Sequence, residues 1–340
     1  MKKNPFSNYL INILVIILIG VVIIGLSIGL GGEGIIDLIK TLDVFDIITV
    51  ISVVLLWQLI IAVILVILTR ITHPEYKLRQ GFINVLAAAL FHGITPSASG
   101  GQIIQFYVFK KQKVDTGDAG SILWMEFIIY QSALTILSLF FIIIRFTSFY
   151  NDFSNLFIFV ILGFIINGSV IAFLIALARF KKLHDWIKNK GVYIGVKLHL
   201  VKDPEVTVIN IEKQLERFRS EVKNFKDHKL RILAIFGLNI LRLVVYYSVP
   251  FFVFIALGQK MDIGMLIDCI AMGSFVAITS SMIPIPGASG GTEMIFVLMF
   301  GNLFGSTIAG AGMLLWRFAT FYFVMLIGAL AFIYIKLKKV

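Results

Sequence analysis

Residues 284–293 read Pro-Ile-Pro-Gly-Ala-Ser-Gly-Gly-Thr-Glu, and residues 95–102 read Thr-Pro-Ser-Ala-Ser-Gly-Gly-Gln. Aligned at Pro96 and Pro286, 190 residues apart, the strings through Gly101 and Gly291 agree at five of six positions, and Phe106 and Phe296 follow at the same offset. Each string interrupts a long apolar stretch. A helix break that recurs in corresponding hydrophobic segments of two halves is a sequence-level pointer to a transport site.

The surroundings make this a membrane protein. Hydrophobic residues are 59% of the 340-residue chain and charged residues 14%, against about 25% charged in an ordinary soluble domain. Several runs of 20 or more apolar residues can each cross about 30 Å of hydrocarbon. Six full spans are expected near 9–30, 43–69, 119–145, 156–179, 230–257 and 308–335. The first of these reads as an anchor rather than a cleaved leader, being longer than an h-region and lacking an Ala-x-Ala site. The stretches 81–110 and 262–305, which hold the repeated strings, are expected to be broken re-entrant hairpins.

Charge sets the orientation. With the N-terminus in the cytoplasm, the inside segments hold 25 of the 30 Lys and Arg residues. Lys40, Arg145 and Lys260 fall outside, and Arg242 and Arg317 within spans. This bias follows the positive-inside rule and puts both termini in the cytoplasm. It also makes the first hairpin enter from the cytoplasm and the second from outside. The expected fold is therefore an all-α polytopic membrane protein, one membrane domain over 1–340, with an inverted repeat of 43–145 and 230–335. A basic amphipathic cytoplasmic segment, 180–229, lies between them. There Asp203-Pro204-Glu205 signals a helix start. Val208, Ile211, Leu215, Phe218, Val222 and Phe225 then form a narrow apolar stripe. The net charge of +11 is accounted for by this map, so no nucleic-acid partner is expected.

Irregular backbone at membrane depth frees N–H and C=O groups, each costing several kcal/mol in lipid. Gly100, Gly101, Gly290 and Gly291 permit close approach, while Ser97, Ser99 and Ser289 can satisfy freed groups. Half-helices are expected to start at about Gln102 and Thr292, with partly positive N-terminal ends suited to phosphate or carboxylate. Pro96, Pro284 and Pro286 complete the candidate cradle. Neither string is a P-loop, because no Gly-Lys-Ser/Thr follows, and the serines lack His and Asp partners for hydrolysis.

Glu126, Arg242, Asp268, Glu293 and Arg317 are embedded in apolar sequence and need partners or a wet cavity. Pairing of Glu293 with Arg317 or Arg242 would be structural. Alternatively an arginine holds a phosphate bidentately while Glu293 meets a cationic or hydroxylated headgroup, or titrates. His73 and His92 flank the first hairpin and read as polar contacts rather than metal ligands. The single cysteine, Cys269, reads as packing. No metal or other cofactor is expected.

These motifs are similar to a known family. The Ile283–Glu293 string resembles the Pro-x-Pro-Gly-Gly-x-Gly-x-x-Glu-like signature of the lysylphosphatidylglycerol synthase transmembrane region, the flippase-like domain of the multiple peptide resistance factor. The resemblance covers nearly the whole chain. It implies movement of aminoacylated phosphatidylglycerol, or of a lipid-linked sugar, between leaflets of a bacterial plasma membrane, and a link to antibiotic resistance. With the chain ending at Val340, no soluble synthase domain is expected. The expected partners are a membrane phospholipid or lipid-linked substrate, a separate synthase, and a second copy of the chain. Two other readings stay open. One is a headgroup transferase, a phosphatidylglycerol lysyltransferase by family name, with Glu293 and Glu126 as acid–base pair. The other is a scaffold that recruits a synthase through the 205–229 stripe.

Overall fold

The structure is a computed structural model that describes residues 33–95, 99–186, 190, 192–197, 203–209, 211–212, 216, 228–281, 283 and 285–337. The expected first span, 9–30, and most of the 205–229 stripe lie outside the described residues. At Asp203 the expected helix start is present, with the Val206 amide donating to its carboxylate at 3.2 Å.

The described elements are helical. A short helix, α1 (Glu33–Lys40), precedes α2 (Val44–Thr69), which begins in a capping box of Asp43 and Asp46. Next come α3 (Leu78–Ile94), α4 (Ser99–Lys111) and α5 (Thr116–Arg179), then the short α6 (Lys181–Trp186) and α7 (Val192–Lys197). The second half holds α8 (Lys229–Ala256), α9 (Ile263–Ser280), α10 (Gly291–Phe304), α11 (Ser306–Arg317) and α12 (Phe323–Leu337), with a π-helical segment, Phe318–Tyr322, joining the last two. Among the described residues, six helical stretches are long and apolar enough to cross a membrane: Val44–Thr69, Thr116–Phe146, Ile158–Leu177, Lys229–Ala256, Ile263–Ser280 and Ser306–Leu337. Five match expected spans. The sixth, α9, is the first limb of the second hairpin, whose 18 residues reach further than a short re-entrant limb requires.

α5 runs for 64 residues, which would be about 96 Å if straight. It cannot be straight, because Gln131 donates a hydrogen bond to Asn167. Its two arms therefore return on one another, as the separate 119–145 and 156–179 spans anticipated.

Four sets of contacts place the ends of the bundle. α2 and α8 are antiparallel: Val50 and Val54 share a core with Val249 and Val253, Leu65 and Val66 share another with Ile235, and Trp57 meets Tyr246 between them. α3 and α4 also run antiparallel. Gln112 donates to Gln80 O (2.9 Å), Asn84 to Gln105 O (3.3 Å), and Gly100 N to Thr95 Oγ1 (2.8 Å). α3 and α12 are antiparallel, with Arg79 on Tyr334 and Gly93 against Met325. Phe304 at the end of α10 stacks 4.1 Å from Phe254 near the end of α8, so α10 returns toward the level at which α9 starts. Arg70, Lys77, Arg79, Lys110, Lys111, Lys113, Lys229, Arg231 and Lys336 thus gather at one end, the basic end. The α3–α4 hairpin opens there, and α9–α10 opens at the opposite end.

Close approach at the α3–α12 seam depends on glycine. A Cβ on Gly328 would fall 2.5 Å from Leu86 O and 2.9 Å from Leu90 N, both backbone atoms that cannot swing aside. Gly328→Val should destabilise the bundle by about 1–3 kcal/mol, read as a lower melting temperature in detergent. Gly301→Ala, where nothing lies within 4 Å, should leave it unchanged or slightly raised.

Candidate functional site

The first break is tightened by a threonine. Thr95 Oγ1 donates to Phe91 O at 2.6 Å and accepts from Gly100 N at 2.8 Å, tying the last turn of α3 to the first turn of α4. A Cβ on Gly100 would lie 2.5 Å from Thr95 Cγ2, and one on Gly101 would lie 2.1 Å from His92 Cε1. The glycines are there to let the two turns touch. α4 starts at Ser99 rather than near Gln102, because the Thr95 hydroxyl supplies the cap that lets the helix begin early. Gln102 is exposed. Pro96, Ser97 and Pro284 lie outside the described residues.

The second break is built differently. Gly287, Ala288 and Gly290 have φ of 62°, 47° and 93°. For Ala288, a non-glycine in the left-handed region, this costs about 1–2 kcal/mol. Gly287 also lies under Phe321, whose Cζ would be 2.4 Å from an added Cβ. The hydroxyl of Thr292 sits 2.9 Å from Ser280 Oγ and 3.0 Å from Ala288 O, linking the limbs. Pro286 is half-buried, and Ser289 is buried. α10 starts at Gly291, one residue before the expected Thr292.

Glu293 and Arg317 hold this break together. Arg317 Nε donates to Glu293 Oε1 at 2.6 Å, and Nη2 donates to Gly287 O at 2.5 Å and lies 3.5 Å from Ser289 Oγ. Glu293 Oε2 accepts from Gly290 N at 2.7 Å. The guanidinium lies 4.3 Å from the Phe321 ring centroid. Both side chains are buried, at 3% and 7% exposure, so each charge depends on the other. Glu293 thereby places its own anion at the positive start of α10. The π segment begins one residue after Arg317. Its wider turn helps set Phe321 over both the guanidinium and Gly287.

Arg242 does not join this group. Its Nη1 donates to Glu126 Oε1 at 2.6 Å and to Asn239 Oδ1 at 3.2 Å, and it stacks 4.2 Å over Tyr130. Glu126 and Glu293 are held in separate ion pairs. Aromatic residues lie between the two centres. Tyr246 lies within electrostatic reach of Arg317 and Tyr130, and its ring is 5.7 Å from that of Tyr247.

A third group was missed in the sequence. Asn167 donates to Ser281 Oγ at 3.0 Å and accepts from Gln131, so the returning arm of α5 pins the residue that ends α9. The signal was available, since Gln131 and Asn167 are polar residues inside apolar runs. At the basic end, Tyr76 donates to Gln112 Oε1 at 2.6 Å, and burial holds its phenol above the usual range. There too His73 Nδ1 lies 3.6 Å from Asp118 Oδ2, with Asp115 beside them.

Breaking a buried pair from one side costs about 3–5 kcal/mol, whereas replacing both charges costs much less. Arg317→Met and Glu293→Gln should each lower the melting temperature strongly. The double variant should recover much of that loss, a coupling that a double-mutant cycle of thermal unfolding reads directly.

No curated protein and no solved structure matches the chain. The family model for the lysylphosphatidylglycerol synthase TM region matches residues 10–328. A two-break helical bundle with its arginine–carboxylate centre at the second break, matched over nearly its whole length, belongs to the lysylphosphatidylglycerol synthase TM region family.

Proposed function

We propose that this membrane protein is a lipid translocator that carries an anionic or aminoacylated phospholipid, or a lipid-linked sugar, between leaflets. The observation that carries this reading is the pair of hairpins opening at opposite ends of the bundle, each bent at a copy of the same string. The halves also repeat one succession: a long helix (α2, α8), a hairpin (α3–α4, α9–α10), and a long return (the first arm of α5; α11–α12). Packing partners are reciprocal, with α12 against α3 and α5 against α9. These features support an inverted repeat that rocks about a central site. The basic end then faces the cytoplasm of a bacterial cell, by the positive-inside rule.

In this reading the cargo's phosphate competes with Glu293 for Arg317 and for the start of α10. The first break has no carboxylate at its own helix start. On this reading its α4 terminus, where the exposed Gln102 follows Gly100 and Gly101, forms the other half of the cradle. Arg242 serves the headgroup only by leaving Glu126. A free carboxylate at Glu293 then meets the cationic or hydroxylated headgroup. The lipid leaves chemically unchanged, which separates a translocator from a headgroup transferase.

Proteoliposomes loaded with fluorescent aminoacyl-phosphatidylglycerol, or with a lipid-linked sugar, give the test. Protein-dependent arrival in the second leaflet, reduced at least about tenfold by Glu293→Gln if one charge-assisted contact is lost, is the expected result. Absence of transfer for both lipid classes rejects the proposal. A change in lipid mass after incubation with donor would point to the transferase instead.

A further inference from the structure

Among the described residues, the Glu126–Arg242 pair joins the halves centrally, and two further polar contacts join them nearer the ends of the bundle, one at each. At the basic end, Arg79 on α3 donates to the Tyr334 hydroxyl on α12 at 2.6 Å, with the guanidinium 5.9 Å from the ring centroid. At the opposite end, Arg145 on α5 pairs with Asp268 on α9 at 2.8 Å. Each contact ties the first limb of one half's hairpin to the long return of the other half. The 190-residue offset between the repeated strings takes Arg79 to position 269 and Tyr334 to position 144, one residue from Asp268 and Arg145. The contacts therefore occupy equivalent places in the two halves. Within either half, neither would hold anything together.

Their chemistry suits a closure that opens. The side chains of Arg145 and Asp268 are each about a third exposed, at 33%, and the Arg79 contact is also exposed. Exposed polar pairs contribute little net stability, unlike the buried Glu293–Arg317 pair and the part-buried Glu126–Arg242 pair. Arg145 also has a buried Nε that lacks a hydrogen-bond partner, so this latch is incompletely satisfied even when shut.

We propose that Arg79–Tyr334 and Arg145–Asp268 are the two gates of the transport cycle, one per membrane face, and that the structure with both shut is the occluded state. The inference rests on the translocator reading for its meaning. Opening Arg145–Asp268 lets the α9–α10 end splay while Arg79–Tyr334 holds the basic end. Opening the other gate does the reverse.

The test follows solvent access rather than lipid. In full-length protein carrying Cys269→Ala, Ser289→Cys becomes the sole cysteine at the second break, and a membrane-impermeant maleimide is added from each side of oriented vesicles. Asp268→Asn should raise labelling from the α9–α10 end relative to the basic end by about two- to fivefold, the ratio set by a partly exposed pair. Arg79→Gln and Tyr334→Phe should shift it by a similar factor in the opposite sense. The Arg145→Asp/Asp268→Arg exchange should restore the parent ratio. Unchanged ratios, or all variants shifting the same way, would overturn the proposal. As a second measurement, crosslinking Arg145→Cys to Asp268→Cys should leave the reporter open to the basic end alone, and labelling from both sides would also overturn it. Because labelling needs no cargo, gates that respond without lipid transfer would reject the translocator reading and leave the gates standing.

Discussion

Backbone groups released inside hydrocarbon must find partners within the protein, and this constraint shapes everything around the two breaks. The chain answers it in two ways. At the first break one hydroxyl, Thr95, serves both sides of the gap. At the second, a buried ion pair does the work: Arg317 takes the Gly287 carbonyl while Glu293 takes the Gly290 amide. Glycines, Pro286 and the left-handed Ala288 are tolerable because those partners are close. The aromatic face of Phe321 and the polar tie from Asn167 to Ser281 then hold them in place.

The same constraint separates structure from mechanism in the charged residues. Glu293–Arg317 is a closed, buried pair and Glu126–Arg242 a part-buried one, each backed by an aromatic ring. On the proposed reading, an anion entering this centre exchanges with a carboxylate already present rather than filling a vacant site.

Much of the architecture was readable from residues alone. Apolar length gave five spans within a few residues of the helices observed, and the repeated strings located both breaks. The gathering of Lys77, Lys113, Lys229 and Lys336 at one end follows the charge map. What sequence did not yield depended on contacts between distant segments. Nothing local tells that Arg242 prefers Glu126, 116 positions away, over Glu293. The early start of α4 came from the Thr95 hydroxyl, which reads as an ordinary threonine until Gly100 is seen beside it. Nor is the turn inside α5 marked by proline or glycine: residues 145–158 contain neither, and only the Gln131–Asn167 bond shows that the helix doubles back.

The π-helical segment after Arg317 carries one residue more than an α-helical turn would. If that extra residue migrated or were absorbed, everything beyond it would rotate by about 100° and slide by about 1.5 Å along its axis. Tyr334, three turns further on, would leave the line of Arg79, while Arg317 itself stayed on Glu293. A slack residue stored in the last helix would thus let the basic end of the bundle change register without disturbing the charged centre.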